Sequence, residues 1–290
     1  MSGTTPSPGF AELLAQTDRP LLLPGVGTPL EALAAAAAGF EAVYVSGYAT
    51  AGWQAGKPDI GLTGLREVID VTTAIRGRLH APILVDADTG YGDVSNVTDT
   101  VRRLELAGAA GVQLEDQTWP KRCGHLEGKT VEPLDVMVRK LRAALAARRD
   151  PALFVVARTD ARSPLGLDEA IRRAQTYAEV GADAVFVDAP HSVEELRRIG
   201  TEVPGRLVAN MSESGLTPVL PAAELGQLGF DLVLYPTGAL RAATAAVLSY
   251  FGHLRTHRDT STLSSPVLSL ADFNALVGLA DFQRQDAALT

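Results

Sequence analysis

Two hydrophobic patterns take turns along the chain. Short, continuous apolar runs recur at 21–23, 42–45, 83–85, 111–114, 154–157, 184–187, 207–209 and 232–234. Runs without in-and-out alternation suit strands buried on both faces, as in a parallel sheet. The stretches between them carry a helical period and predict helices over 30–38, 64–75, 95–106, 133–147, 167–180, 193–198, 222–228 and 239–254. Ser95 is the expected N-cap of the third of these. Gly39, Gly108, Gly181 and Gly229 each stand just before a strand, where glycine supplies the left-handed residue that stops a helix. Eight strand–helix units predict a (β/α)8 TIM barrel, a fold of about 250 residues. It would occupy about 20–255 of a single domain spanning 1–290. A doubly wound open sheet is the alternative, but Pro24-Gly25-Val26-Gly27 lacks the G-x-G-x-x-G turn after a first strand. Residues 1–9 read as a loose lead and 256–267 as a polar break. A helical pattern resumes over 269–289. A helical extension beyond a completed barrel is expected to pack on a neighbouring subunit.

Composition narrows this picture. Of 290 residues 46% are hydrophobic but only 6% aromatic, so the core must be aliphatic. A single cysteine cannot close an intramolecular disulfide. No apolar run reaches the ~18–20 residues of a membrane helix, and residues 1–10 lack the basic start and apolar stretch of a secretion signal. A cytoplasmic protein without a membrane partner is expected. The net charge of −8, with no basic cluster, gives no footprint for nucleic acid.

In such a barrel, chemistry belongs at the C-terminal ends of the strands and in the loops after them. The third strand runs into Asp86-Ala87-Asp88-Thr89-Gly90-Tyr91-Gly92 and the fourth into Glu115-Asp116-Gln117. Carboxylates at buried strand ends are costly unless a cation or partner compensates. Acids at the rims of two neighbouring strands suit Mg²⁺, which takes one or two direct carboxylates and keeps several waters. The competing explanation is that these acids cap helices or pair with Arg and Lys. The one cysteine lies in Pro120-Lys121-Arg122-Cys123-Gly124-His125, inside a segment, 118–130, that is long for a strand-to-helix loop and reads as a lid. Flanking cations lower a thiol pKa and make it a usable acid–base group, whereas a lone buried cysteine is otherwise an inert filler. Backbone amides around Ser46 and Gly47 are expected to cradle a carboxylate, and Arg158 to grip one bidentately. Tyr44, Tyr48, Asp188, Asn210 and Arg241 complete the polar groups expected near this rim. A metal, an arginine and backbone donors suit a substrate with more than one carboxylate. A metal beside an acid–base thiol suits an enolate-like intermediate.

These residues resemble the isocitrate lyase/phosphoenolpyruvate mutase superfamily. The matching segments are Ser46-Gly47, Lys57-Pro58-Asp59-Ile60-Gly61, the 86–92 and 115–117 motifs, the 120–125 loop, Ala157-Arg158-Thr159-Asp160-Ala161 and Ala209-Asn210. The cysteine loop resembles the methylisocitrate lyase and dimethylmalate lyase branch. The resemblance implies a (β/α)8 barrel, Mg²⁺ or Mn²⁺, and homotetramers whose C-terminal helices swap between subunits. It also implies retro-aldol cleavage of a 2-hydroxy di- or tricarboxylate. By position it implies a metal shell of Asp86, Asp88 and Glu115, supported by Asp59. Ser46, Gly47, Gly124, His125, Arg158 and Asn210 become carboxylate binders, Tyr44 the base at the substrate hydroxyl, and Cys123 the acid that protonates the departing enolate. Tyr48 stands where methylisocitrate lyases tend to have glycine, and Asp188 where many relatives have glutamate. Trp53, Lys57 and Trp119 also depart from the pattern, and Trp53 is expected to help shape the pocket. Carbon–phosphorus or hydrolytic chemistry on the same scaffold is the second reading, and a non-catalytic binding protein the third.

Overall fold

The computed structural model describes residues 9–17, 19–124, 126, 128–264 and 266–289. In chain order the elements begin with α1 (Phe10–Ala15), β1 (Leu21–Val26), α2 (Pro29–Ala37), β2 (Val43–Val45), α3 (Gly47–Ala55), α4 (Leu65–Arg76) and β3 (Ile83–Asp86). Then come α5 (Val94–Leu106), β4 (Gly111–Glu115), α6 (Leu134–Ala147), β5 (Phe154–Thr159), α7 (Arg162–Leu165), α8 (Leu167–Val180) and β6 (Ala184–Val187). The chain continues through α9 (Val193–Glu202), β7 (Leu207–Asn210), α10 (Ala222–Gln227), β8 (Leu232–Tyr235) and α11 (Gly238–His257), and ends in α12 (Leu270–Leu276) and α13 (Leu279–Leu289). The eight strands are all parallel and close in sequence order, with β8 pairing back onto β1. The (β/α)8 barrel is therefore the fold, and the open sheet is excluded.

Each of the eight apolar runs is a strand, but most strands run one to three residues further than their apolar stretch. β3 extends to Asp86, β4 to Glu115, β5 to Thr159 and β7 to Asn210. The hydrophobic signal stops at the first polar side chain, whereas the backbone ladder does not. Glu115 still pairs with Arg158, and Asp86 with Gln113. This overhang fixes the polar side chains of the rim on rigid strand ends rather than on loops.

The helix boundaries follow from local chemistry. Gly39, Gly108, Gly181 and Gly229 all take positive φ, as their position before a strand requires. Ser95 is not the cap of α5: Asp93 holds that place and its carboxylate accepts from the Val94 amide at 2.8 Å. α1, α3 and α7 were not expected. α1 plugs the N-terminal end of the barrel, where Phe10 packs on Phe154 with ring centroids 5.6 Å apart. The inward-facing side chains Leu21, Leu23, Leu84, Val156, Phe186, Val208 and Leu232 fill the barrel. A larger aliphatic layer lies between the strands and the surrounding helices. The tail divides into two helices at Gly278. It touches the barrel where Arg78 donates to the Val277 carbonyl at 2.7 Å and stacks on Phe282.

Candidate active site

At the C-terminal mouth of the barrel a cavity of about 40 Å³ is lined by Tyr44, Ser46, Tyr48, Asp59, Asp86, Glu115, Lys121, Cys123, Gly124, Arg158 and Asn210. A larger groove of about 580 Å³ lies at the opposite end, among the residues that precede β1, β2 and β8. It lacks convergent ionisable groups, so chemistry is assigned to the small cavity.

One wall is acidic. Asp86, at the end of β3, accepts from the Gly47 amide at 3.3 Å and from the Asp88 amide at 3.2 Å. Asp88 takes φ 47 directly after the strand, which turns its carboxylate toward Lys121, 2.8 Å away. Lys121 also reaches Asp59 at 2.5 Å. Glu115 projects from β4 with one oxygen 3.4 Å from Arg158, while its buried Oε1 has no hydrogen-bond partner among the described residues. Burial pushes Glu115 well above the usual carboxylate range against the pull of Arg158. Burial likewise outweighs Lys121 and raises Asp88 to about 7. Burial opposes the Lys121 charge, but Asp88 and Asp59 more than offset it and the ammonium is held well above its ordinary value. Below them Tyr44, on β2, accepts from the Gln113 amide at 2.9 Å. Burial, then Asp86, pushes its phenol well up.

The facing wall closes its own charges. Arg158 donates Nε and Nη2 to the two oxygens of Asp160 at 2.8 and 2.9 Å and approaches Asp188 at 3.1 Å. Its guanidinium lies over the Phe186 ring. Lys129 pairs with Asp160 at 2.9 Å and Asp188 at 3.3 Å. Burial disfavours the charge on Asp160, yet Arg158 and Lys129 hold it below the carboxylate range.

The loop carrying Cys123 covers the mouth. Its base is a short antiparallel contact of Gln117 with Val131, reinforced by the Thr118 amide on the Thr130 carbonyl at 2.9 Å. Gln117 grips Arg122 twice, donating to its carbonyl at 2.8 Å and accepting from its amide at 3.0 Å. The Cys123 amide donates to the Asp59 carbonyl at 3.1 Å, so the half-buried thiol lies over the cavity beside the acidic wall.

Asp59, Asp86, Asp88 and Glu115 share Lys121 and part of Arg158, which leaves an excess of buried negative charge and the orphaned Glu115 oxygen. That all-oxygen set fits a hard divalent cation. Among the described residues the acids are not drawn into a direct three-ligand cage. An ion held largely through water suits this spacing.

The family model described as phosphoenolpyruvate phosphomutase matches residues 10–255. The chain belongs to the phosphoenolpyruvate mutase/isocitrate lyase superfamily. It is 39% identical over 266 residues to a 2,3-dimethylmalate lyase of Eubacterium barkeri, covering 92% of each chain. An oxaloacetate acetylhydrolase in complex with 3,3-difluorooxalacetate matches with a TM-score of 0.90 at 32% identity, over 96% of this chain and 94% of that one. A phosphonopyruvate hydrolase complexed with oxalate and Mg²⁺ matches with a TM-score of 0.84 at 28% identity, over 94% and 95%. Superfamily membership makes the chain an enzyme's relative in fold and in site. A lyase, an acetylhydrolase and a phosphonate hydrolase among the relatives leave the bond that is broken to be argued from the residues.

Against the superfamily pattern, the structure gathers Tyr44, Ser46, Tyr48, Asp59, Asp86, Glu115, Cys123, Gly124, Arg158 and Asn210 around one cavity, with Gly47 and Asp88 directly behind its wall. His125 lies outside the described residues. Several residues are placed otherwise than their position in the chain suggested. The Gly47 amide donates to Asp86, while Ser46 Oγ lines the cavity and caps α3 by accepting from the Ala49 amide. Asp188 is fully buried, with its oxygens turned to Arg158, Lys129 and Asn210 and not to the cavity. Arg241 stands outside the cavity, half-exposed on α11, and donates to the Glu213 carbonyl at 2.6 Å. Trp53 points away as well, its indole N–H on Glu31 at 2.8 Å. Lys121, expected beside the thiol, turns its ammonium to the carboxylates. Gln113 and Lys129 were missed. Gln113 sits inside a strand that reads as apolar, and nothing in its spacing marks it. The lysine after Gly128 was visible only as one more cation in the loop.

Proposed function

We propose that this chain is a Mg²⁺-dependent carbon–carbon lyase, with Mn²⁺ as a possible substitute. Its substrate would be a 2-hydroxy di- or tricarboxylate of the substituted-malate or 2-methylisocitrate type, cleaved to a 2-oxoacid and a second carboxylate. One observation carries the reading: a half-buried thiol lies over the same cavity as an acid cluster with an unmet carboxylate oxygen. Asp86, Asp88 and Glu115, backed by Asp59, would hold the cation, which when bound supplies positive charge for the carboxylate and hydroxyl oxygens of the substrate.

The chain's own groups divide the rest. Arg158, its other donors fixed by Asp160, Asp188 and Glu115, presents a rigid cation to a substrate carboxylate. Tyr44, oriented by Gln113, takes the hydroxyl proton. Burial and Asp86 keep the proton on the Tyr44 phenol until positive charge is present near Asp86; with that proton lost to solvent, the phenolate would be a strong base for the hydroxyl proton. As the C–C bond breaks, its electron pair passes to the departing carboxylate fragment and the hydroxyl carbon becomes a carbonyl. Cys123 then delivers the thiol proton to the new carbanion. The covering loop excludes water, which would otherwise quench it. A cavity of about 40 Å³ holds little more than water, and lifting of the covering loop would admit a substrate.

The test is an assay for released 2-oxoacid, with Mg²⁺, over a panel of 2-methylisocitrate and substituted malates. Release from one member is expected, and no 2-oxoacid from any member sinks the reading. Hydrolytic cleavage of oxaloacetate is the second reading, favoured by the likeness to the acetylhydrolase, and oxalate and acetate formed from added oxaloacetate would establish it.

The tail supports an assembly. α11, α12 and α13 have no buried residue, and Val247, Leu248, Phe251, Phe273 and Phe282 are exposed. Amphipathic helices that leave apolar residues in water are expected to be covered. A homotetramer built from helix-swapped dimers would cover them, and a monomer mass by light scattering would refute it.

A further inference from the structure

The loop over the cavity is tied down at two points. On the acidic side Lys121 reaches Asp59 and Asp88. On the other side Lys129, whose side chain is fully buried, donates to the Gly124 carbonyl at 2.5 Å, to Asp160 at 2.9 Å and to Asp188 at 3.3 Å. Cys123 hangs between the two anchors.

The second anchor does more than close a loop. The oxygens that Lys129 uses, Asp160 Oδ1 and Asp188 Oδ2, are also contacted by Arg158 Nη2, at 2.9 and 3.1 Å. One ammonium therefore joins the loop backbone to the carboxylates that orient the substrate-facing arginine. The fit has no slack. A Cβ on Gly124 would stand 2.1 Å from Asp188 Oδ2 and 2.5 Å from Arg158 Nη2. Without Lys129, two fully buried carboxylates would keep Arg158 as the cation they share, with Asn210 a long neutral donor to Asp188, and the Gly124 carbonyl would lose its charged donor.

We propose that Lys129 is a positioning residue: its ammonium, by bridging the Gly124 carbonyl to Asp160 and Asp188, sets the thiol of Cys123 over the cavity and Arg158 beneath it. The role of the thiol in turnover rests on the lyase reading. The position of the thiol does not, and it can be measured separately.

Cys123 is the chain's only cysteine, so its alkylation by iodoacetamide reports on this loop without further engineering. In Lys129→Met the labelling rate is expected to rise about tenfold or more, as one charge-assisted hydrogen bond no longer holds the loop down. Removing a nearby cation would by itself slow a thiolate reaction, so acceleration reports opening and not a change in acidity. Turnover should fall by a similar or larger factor while the melting temperature shows the variant folded. If Lys129→Met does not fold, Lys129→Met/Asp188→Asn removes one buried cation together with one buried anion and is labelled in its place. Labelling at the wild-type rate in whichever folded variant is obtained overturns the proposal. Faster labelling in the variant, with no 2-oxoacid formed by the unmodified enzyme, would instead retain Lys129 as the anchor and discard the lyase reading.

Discussion

Glu115 and Asp116 are neighbours in sequence, yet they belong to two different regions of the molecule. Glu115 faces into the barrel mouth, where one of its oxygens has no hydrogen-bond partner among the described residues. Asp116 faces outward and is met by Thr159 Oγ1 at 2.7 Å, the Asp160 amide at 2.9 Å, Arg173 at 2.9 Å and Tyr177 OH at 2.8 Å. Both carboxylates are buried, and burial raises both pKa values. The difference is how far the protein itself answers the charge. Where donors close around a buried acid, as at Asp116, it holds strands to helices. Where they fall short, as on the Asp86–Asp88–Glu115 wall, buried negative charge stays in excess and a Glu115 oxygen stays unmet among the described residues. The Arg158–Lys129 wall lies between these cases, closed on itself but turned toward the cavity.

Three experiments sharpen that contrast. The largest effect is expected at the cavity: Cys123→Ser should keep the fold and the response to Mg²⁺ but lose about 10²–10⁴ in kcat, the span of a general acid. Full turnover in this variant would remove the thiol from the reaction. Next comes the neighbouring pair. Asp116→Ala takes from Arg173 one of its two carboxylates, Glu169 remaining, and strips buried Thr159 and Tyr177 of their acceptor; the expected loss is about 1–3 kcal/mol, read as a drop in Tm with the Mg²⁺-induced shift intact. Glu115→Gln should behave oppositely, with Tm in chelator unchanged or higher because an unmet acid is neutralised. Its Mg²⁺-induced shift, worth about 2.7 kcal/mol at a hundredfold excess over Kd for an intact site, should disappear. Equal behaviour of the two variants would erase the distinction. The smallest effect belongs to Arg241→Ala. An exposed side chain outside the cavity should change stability by no more than about 0.5 kcal/mol and leave KM within about twofold. A large rise in KM would return Arg241 to the site.

Much of the site was legible in advance for a specific reason. In a parallel barrel every strand ends at the same rim, so polar residues directly after apolar runs must converge. Asp86, Glu115, Arg158 and Asn210 follow from that rule alone, once eight runs are counted. The rule has no information on direction beyond the strand. Asp188 and Arg241 both follow strands, but Asp188 packs under the loop and Arg241 lies on the far side of the first turns of α11. Trp53 sits on α3, an element the pattern did not announce because its glycines and alanines carry little periodicity.

The order of apolar and polar residues determined the fold class, the strands and the rim that carries the chemistry, because burial on both faces demands continuous apolar runs and helices need a 3.6-residue period. The single cysteine and its cationic loop also marked themselves by composition. Only the tertiary structure decided which charge answers which. Lys121 and Lys129 stand in one loop eight positions apart, yet one pairs with Asp59 and Asp88 on the acidic wall and the other ties the loop to Asp160 and Asp188. Ion pairing depends on distances of a few ångströms between residues far apart in the chain. Those distances are set when the barrel closes, by packing that no local pattern records.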